Sequence, residues 1–169
     1  MKACKQRAGR VITGETAAAR DRAGGSWTVT AQKGAYQANT SVNAAGAWAD
    51  HVGALAGASS IGLVAKRRTA IIVDATPGYE VGDLPCIDFA ATDAYIKPEA
   101  GKLMVSPGDA TPTAPQDVQP DEMDVAVLAD WLEREPLIPV RRLGHSWAGL
   151  RSFVPDDSPV LAFGPGVPG

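Results

Sequence analysis

Ala94-Tyr95-Ile96-Lys97-Pro98-Glu99-Ala100-Gly101-Lys102-Leu103-Met104-Val105 is the segment that decides the fold. Two stretches that favour strands flank a centre containing Pro98 and Gly101, which are residues typical of turns. Because side chains alternate between the two faces of a strand, Tyr95 and Lys97 project to the same side. The segment therefore predicts an antiparallel β-hairpin with these two polar side chains on one face.

A long strand is predicted upstream of the hairpin, from Ile61 to Asp74. Its alternation places two sets of residues on opposite faces: Lys66, Arg68, Ala70 and Ile72 on one, and Arg67, Thr69, Ile71 and Val73 on the other. Neither face is purely polar, so at least one arginine shares a face with core residues. A cation in that position requires an anionic partner, a ligand, or a place at the rim of the sheet.

Downstream of the hairpin, the sequence predicts a helix and further strand structure. Pro120 suits a first helical position, and a helix near 120–134 carries one apolar stripe, which consists of Val127, Leu128, Trp131 and Leu132. We expect this helix to lie across one face of an antiparallel sheet. The segment Val140–Phe153 is interpreted as one further strand or a pair of strands. Alternate positions of a strand face the same side, so Trp147, Gly149 and Arg151 are expected on one face.

The N-terminal third has a different pattern, typical of a small β-meander. Its predicted strands lie at Ala17–Ala19, Trp27–Thr30 and Tyr36–Thr40, separated by glycine-containing turns. The segment Ser41–Asp50 predicts a short strand that runs through small residues into a helix closing at Gly57. Small residues at such a turn let a ligand approach the main chain closely, although this segment taken alone favours tight packing of the helix on the sheet.

Composition excludes several classes of protein. The chain has 169 residues, 45% of them hydrophobic, and a net charge of −3, which excludes a generally basic nucleic-acid binder. Its two cysteines, Cys4 and Cys86, form neither a metal-ligand spacing nor a disulfide framework, so we expect a cytoplasmic protein without a structural metal. No apolar run is long enough to predict a membrane span.

Charge and proline are divided unevenly along the chain. Residues 1–74 contain ten Lys/Arg and four Asp/Glu, whereas residues 75–140 contain three Lys/Arg and thirteen Asp/Glu. All 13 prolines lie at or after Pro77. Neighbouring segments that differ this much predict separate structural layers or domains.

Four segments, in this order, carry a resemblance to a known family. They are Val42-Asn43-Ala44-Ala45-Gly46-Ala47-Trp48-Ala49-Asp50, Lys66-Arg67-Arg68-Thr69, Tyr95-Ile96-Lys97-Pro98-Glu99-Ala100-Gly101-Lys102, and Trp147-Ala148-Gly149-Leu150-Arg151-Ser152-Phe153-Val154-Pro155-Asp156. Together they resemble the FAD-dependent D-amino acid oxidase and glycine oxidase superfamily, nearest its bacterial D-amino acid dehydrogenase branch. The resemblance extends over essentially the whole chain.

The resemblance implies a mixed α/β fold with two domains. Residues 1–57 are expected to form part of an FAD-binding domain (meander, strand and helix), residues 58–150 a substrate-binding domain, and residues 151–169 a return segment into the FAD domain. The Gly-x-Gly-x-x-Gly fingerprint that begins family members does not occur in this sequence. We therefore expect an internal fragment of a longer family protein, one that does not retain FAD by itself.

The chemistry implied by the resemblance is oxidation of D-amino acids, or glycine-like amines, to imino acids by hydride transfer to the flavin. The cofactor performs the difficult step, so the protein needs no nucleophile or metal and must instead orient the substrate and fix its carboxylate. Arg151 matches the family arginine that binds the substrate carboxylate. Arg68 matches a second carboxylate-binding arginine, with Arg67 as its competitor, and Tyr95 matches a tyrosine whose hydroxyl approaches the carboxylate.

These assignments have structural alternatives. Arg68 could form a rim salt bridge, Arg151 could form a structural ion pair, and Tyr95 could be an ordinary half-buried strand residue.

For the cofactor, the resemblance assigns Ala44, Ala45, Gly46 and Trp48 to a segment whose backbone passes close to the flavin. Ala17 falls where a family valine meets the adenine through main-chain groups. Arg20 departs from the family pattern, which has an apolar residue there, and a charge at this position indicates either relaxed selection or a strand at an exposed edge.

The alternative to an enzyme is a non-catalytic substrate-binding half with no flavin and no activity of its own. The expected partners are a small amino acid substrate and, for this alternative, a separately encoded FAD-binding half. No nucleic-acid partner is expected.

Overall fold

The secondary structure confirms a mixed α/β fold built from antiparallel sheets and few helices. The computed structural model describes residues 2–75, 77–78, 80–134, 140–164 and 166–167. The chain divides into two units, the first comprising Met1–Gly62 with Pro159–Gly169 and the second Leu63–Ser158. In this division Arg151 belongs to the second unit.

The first unit contains the predicted meander. Its elements are α1 (Lys2–Gln6), β1 (Ala17–Ala23), β2 (Ser26–Ala31), β3 (Gly34–Ala38), a 3-10 turn (Gly46–Trp48) and α2 (Ala49–Ala54). The three strands pair antiparallel in the order β1-β2-β3.

The strand predicted before α2 is absent, because Ser41–Ala45 is irregular in structure. The side chain of Asn43 makes two local hydrogen bonds in this stretch. Its Nδ2 donates to the carbonyl of Ala49 at 2.8 Å, and its Oδ1 accepts from the backbone N–H of Ala45 at 3.3 Å. These local hydrogen bonds satisfy backbone groups without a neighbouring strand.

Arg20 differs from its sequence expectation. It does lie on β1, an edge strand, yet it is only 8% exposed. Its guanidinium donates to the hydroxyl of Ser41 at 2.6 Å and lies 5.3 Å from the ring centroid of Trp27. The charge therefore has one hydrogen bond and a cation–π contact, while its buried Nε has no hydrogen-bond partner among the described residues.

The second unit is a five-stranded antiparallel sheet with one helix. Its elements are β4 (Val64–Ala75), β5 (Ile87–Phe89), β6 (Ala94–Glu99), β7 (Lys102–Ser106), α3 (Glu122–Arg134) and β8 (Val140–Phe153). The strand order is β5-β6-β7-β4-β8, so the long strand β4 lies between the hairpin and β8.

The predicted hairpin is β6–β7, but its turn is shorter than expected. Only Ala100 and Gly101 connect the strands, and both have left-handed backbones, with φ of 49° and 79°. A positive φ at both central residues is the conformation that a type I′ two-residue hairpin turn requires. Pro98 lies within β6, where it pairs with Leu103.

The helix α3 covers one face of this sheet and builds the core. Leu128 and Leu132 pack against a buried cluster that includes Ile71 and Leu103. The helix begins two residues later than predicted, because the carboxylate of Asp121 accepts the backbone N–H of Met123 at 2.9 Å and caps it. Within the described residues, no helix is both long and apolar enough to cross a membrane.

An irregularity between β4 and β8 depends on a glycine. Ile71 pairs with Ser146 and Val73 with Leu143, so β8 has an extra residue between these pairs. A Cβ added at Gly144 would lie 2.7 Å from the carbonyl oxygen of Ile72. This distance is shorter than real side chains allow.

We therefore expect Gly144→Ala to lower the free energy of unfolding by about 1–3 kcal/mol, as overpacking does. Gly149→Ala on the same strand is the matched control, since a Cβ there has no atom within 4 Å. Chemical denaturation of the two variants measures the difference. Equal stabilities would contradict the role given to Gly144.

Candidate functional site

A shallow cavity of about 530 Å³, wide open to solvent, lies on the face of the five-stranded sheet opposite α3. Its lining includes Arg68 from β4, Tyr95 and Lys97 from β6, and Trp147, Gly149 and Arg151 from β8. The structure thus brings together all three residues that the resemblance assigned to substrate binding. No contact with another part of the chain is needed to form this cavity, since every lining residue belongs to the second unit.

The sheet register explains why these side chains share a face. Arg68 pairs with Gly149, and Lys66 pairs with Arg151, across the antiparallel β4–β8 ladder. Residues directly opposite each other project to the same side of a sheet. Trp147, Gly149 and Arg151, which were expected on one face of β8, therefore lie on the same face of the sheet as Arg68.

Arg68 is the arginine of β4 that faces the cavity. Its Nε is buried and has no hydrogen-bond partner among the described residues. A buried guanidinium nitrogen without a partner is costly, and an anion bound in the cavity could satisfy it.

Arg67 lies on the other face and is held by acidic side chains. Its guanidinium lies 3.0 Å from the carboxylate of Asp124 and 3.4 Å from that of Asp121, and its Nε lies 3.8 Å from that of Asp109. Asp109, whose side chain is only 5% exposed, also accepts from the backbone N–H of Thr69 at 2.7 Å and from its hydroxyl at 3.0 Å. These contacts make Arg67 part of the packing between α3 and the sheet.

Arg151 is exposed, and no described carboxylate lies within ion-pair distance of it. Its guanidinium carbon lies 6.0 Å from the ring centroid of Phe153, while the Lys66 ammonium lies 4.2 Å from the same ring. Phe153 therefore supports two cations at this end of the cavity. The structural ion pair considered for Arg151 is not present among the described residues.

Tyr95 lines the cavity from β6 and is half-buried. Its neighbour Lys97 donates from Nζ to the carboxylate of Glu99 at 2.6 Å, and this hydrogen bond raises the pKa of Lys97. The Lys97 charge is thus balanced within β6. Asp88 on β5 pairs with Tyr95 and lines the far side of the cavity.

Sequence reasoning did not assign a role to Gly149. This glycine lies between Trp147 and Arg151 on the cavity face and directly opposite Arg68. Its φ is not in the left-handed region, and a Cβ at this position would meet nothing within 4 Å. Neither backbone geometry nor close packing requires glycine here, so the missing side chain leaves the approach to Arg68 and Arg151 open.

The residues expected to contact FAD lie in the first unit. Gly46 has a φ of 56° and begins the 3-10 turn that ends at Trp48, which is 45% exposed. A Cβ at Gly46 would meet no atom within 4 Å. Ala44 is exposed and Ala45 half-buried, so this stretch presents main chain and small side chains, to which a flat ring could come close.

Ala17 is half-buried at the start of β1. The register between β1 and β2 shifts between Ala17 and Ala19. Such an irregularity leaves main-chain groups outside the regular ladder, and a ligand could use them.

A family model described as FAD dependent oxidoreductase matches residues 1–169, the whole chain. A curated relative, the mitochondrial sarcosine dehydrogenase of Homo sapiens, is 25% identical over 151 residues. That match covers 83% of this chain and 16% of the relative.

Two solved structures have the same fold. Glycine oxidase from Geobacillus kaustophilus matches with a TM-score of 0.76 and 22% identity, over 97% of this chain and 43% of that one. L-proline dehydrogenase from P. horikoshii matches with a TM-score of 0.75 and 21% identity, over 94% of this chain and 43% of that one. The chain therefore spans less than half the length of these proteins.

Proposed function

Because the chain belongs to the family of FAD-dependent oxidoreductases, we propose that it supplies the substrate-binding unit, and part of the FAD-binding unit, of an enzyme that oxidises D-amino acids or glycine-like amines to imino acids. The observation that carries this proposal is the convergence of Arg68, Tyr95 and Arg151 on one cavity. Two guanidiniums and a phenol are well suited to bind a carboxylate.

Arg151 holds the substrate carboxylate in this proposal. A guanidinium presents parallel N–H donors in a fixed fork, so it sets the direction of a carboxylate as well as its distance. Arg68 adds a second positive charge from the neighbouring strand, and the Tyr95 hydroxyl donates a further hydrogen bond. Together these residues orient the α-carbon of the substrate.

The first unit has features that fit FAD. The open main chain around Gly46, with Ala44, Ala45 and Trp48 beside it, would hold the flavin, and Ala17 would meet the adenine. When bound, FAD supplies the acceptor for the hydride of the α-carbon. The imino acid then hydrolyses in water.

The alternative function is binding without catalysis, in which the chain acts as a substrate-binding half beside a separately encoded FAD-binding half. The two functions are distinguished with the purified chain and added FAD. Flavin absorbance and reduction of an artificial electron acceptor are measured with D-alanine, L-alanine and glycine, and carboxylate binding is followed by NMR. Reduction with D-alanine or glycine supports the enzyme, and carboxylate binding without bound flavin supports the alternative.

Reduction with L-alanine alone would show that the proposed stereochemistry is wrong. Absence of any carboxylate binding that depends on Arg151 would overturn both functions.

Gly149→Val provides a separate test of the cavity. Its side chain would fill the open space between Trp147 and Arg151, so we expect carboxylate binding to weaken by about tenfold or more, equivalent to about 1.4 kcal/mol. Stability should be retained or slightly increased, because valine favours strands and glycine does not. NMR titration and thermal denaturation measure the two quantities. Unchanged affinity in a folded variant would contradict this placement.

A further inference from the structure

The β4–β8 ladder concentrates positive charge beside the cavity. In two successive cross-strand pairs on this face, Lys66–Arg151 and Arg68–Gly149, three of the four residues are cationic. Like charges directly opposite each other destabilise a sheet. A bound negative charge would therefore stabilise this arrangement.

The described part of the protein provides little such negative charge. No described carboxylate lies within ion-pair distance of Lys66, Arg68 or Arg151, and the buried Nε of Arg68 has no described hydrogen-bond partner. By contrast, Lys97 in the same cavity has its own partner in Glu99. Asp88 is separated from Arg68 by two intervening strands, β6 and β7.

We propose that the cavity selects an amine that carries two carboxylates, with one bound by Arg151 and the other by Arg68. This inference rests on the proposed function and names its substrate class. A single carboxylate would neutralise one guanidinium and leave the second uncompensated beside it, whereas a dicarboxylate neutralises both. Each guanidinium can then form its own bidentate pair.

The spacing of the two arginines suits this arrangement. They are diagonal neighbours across an antiparallel pair, and the Cα atoms of such neighbours lie about 7–8 Å apart. Two separate carboxylates joined by a short linker can reach both side chains. Gly149, which pairs with Arg68 and precedes Arg151 by two residues, leaves room for the linker between them.

The test uses two ligands of nearly equal size that lack an amine and so cannot be oxidised: glutarate, with two carboxylates, and its monomethyl ester, with one. Their dissociation constants for the purified chain are measured by NMR titration at low ionic strength. We expect glutarate to bind at least about tenfold more tightly than the monoester. We expect Arg68→Gln to abolish this preference, so that glutarate and the monoester bind the variant with affinities within about twofold of each other.

Lys97→Gln is the matched control, because it removes a cavity cation that is already paired, and it should keep the preference for glutarate. Loss of the preference in this variant would overturn the assignment to Arg68. Equal affinities in the unaltered chain would overturn the dicarboxylate inference but leave the proposed function standing, provided Arg151→Leu weakens binding of both ligands. Failure of both ligands to bind would overturn the inference and the proposed function together.

Discussion

Replacing Arg151 with leucine is expected to weaken carboxylate binding by about 100-fold. The guanidinium can donate two hydrogen bonds to a carboxylate, and hydrogen bonds to charged groups contribute about 1.5–3 kcal/mol each. A loss of about 3 kcal/mol corresponds to a factor of about 100 in the dissociation constant. The measurement is an NMR titration of the purified chain with monomethyl glutarate. In an active enzyme, the same loss would appear as a raised KM.

Two controls separate this effect from misfolding. Arg151 is exposed and has no described ion pair, so thermal denaturation should show Arg151→Leu to be as stable as the unaltered chain. Arg151→Lys keeps the charge but loses the planar fork, so its affinity should lie between the other two. A change smaller than about threefold in a folded Arg151→Leu protein would show that this residue does not hold the carboxylate.

The features of the fold that were predictable from sequence are those with local causes. Alternation of side chains and a Pro- and Gly-containing turn indicated the β6–β7 hairpin, and a similar alternation indicated the long strand that became β4 (Val64–Ala75). The strand expected before α2 is absent, and there Asn43 instead accepts from the N–H of Ala45 and donates to the carbonyl of Ala49. Such side-chain hydrogen bonds compete with a sheet ladder, and residue propensity does not reveal them.

The site was predictable only in part, because its residues meet through tertiary packing. Because neighbouring residues of a strand project to opposite faces, Arg67 and Arg68 were expected on opposite faces of the sheet. Which of the two faces α3 would cover depends on contacts between distant segments. Asp109 had no local signal, since its role arises from Thr69 and Arg67, which lie about 40 residues earlier in the chain. The burial of Arg20 likewise depends on Ser41 and Trp27 rather than on its own strand.

The two adjacent arginines of β4 should therefore respond to the same substitution in opposite ways. Arg67→Met removes the cation shared by Asp109, Asp121 and Asp124, and it leaves the nearly buried carboxylate of Asp109 without its positive partner. Removing one partner of a buried ion pair costs about 3–5 kcal/mol. Because the side chain of Arg67 remains 18% exposed, we expect a loss near the lower end, about 3 kcal/mol.

Arg68→Met is the matched control, since it is the same change one residue along the strand. It removes a guanidinium that has no described ion pair, whereas Arg67 has three, so stability should be unchanged or increased while binding of glutarate weakens. Chemical denaturation gives the free energy of unfolding, and NMR titration gives the affinity. If instead Arg67→Met weakened binding without loss of stability, and Arg68→Met did the reverse, the cavity arginine of β4 would be Arg67. Because neighbouring residues of a strand face opposite sides of the sheet, that result would also move the binding site to the face that α3 covers.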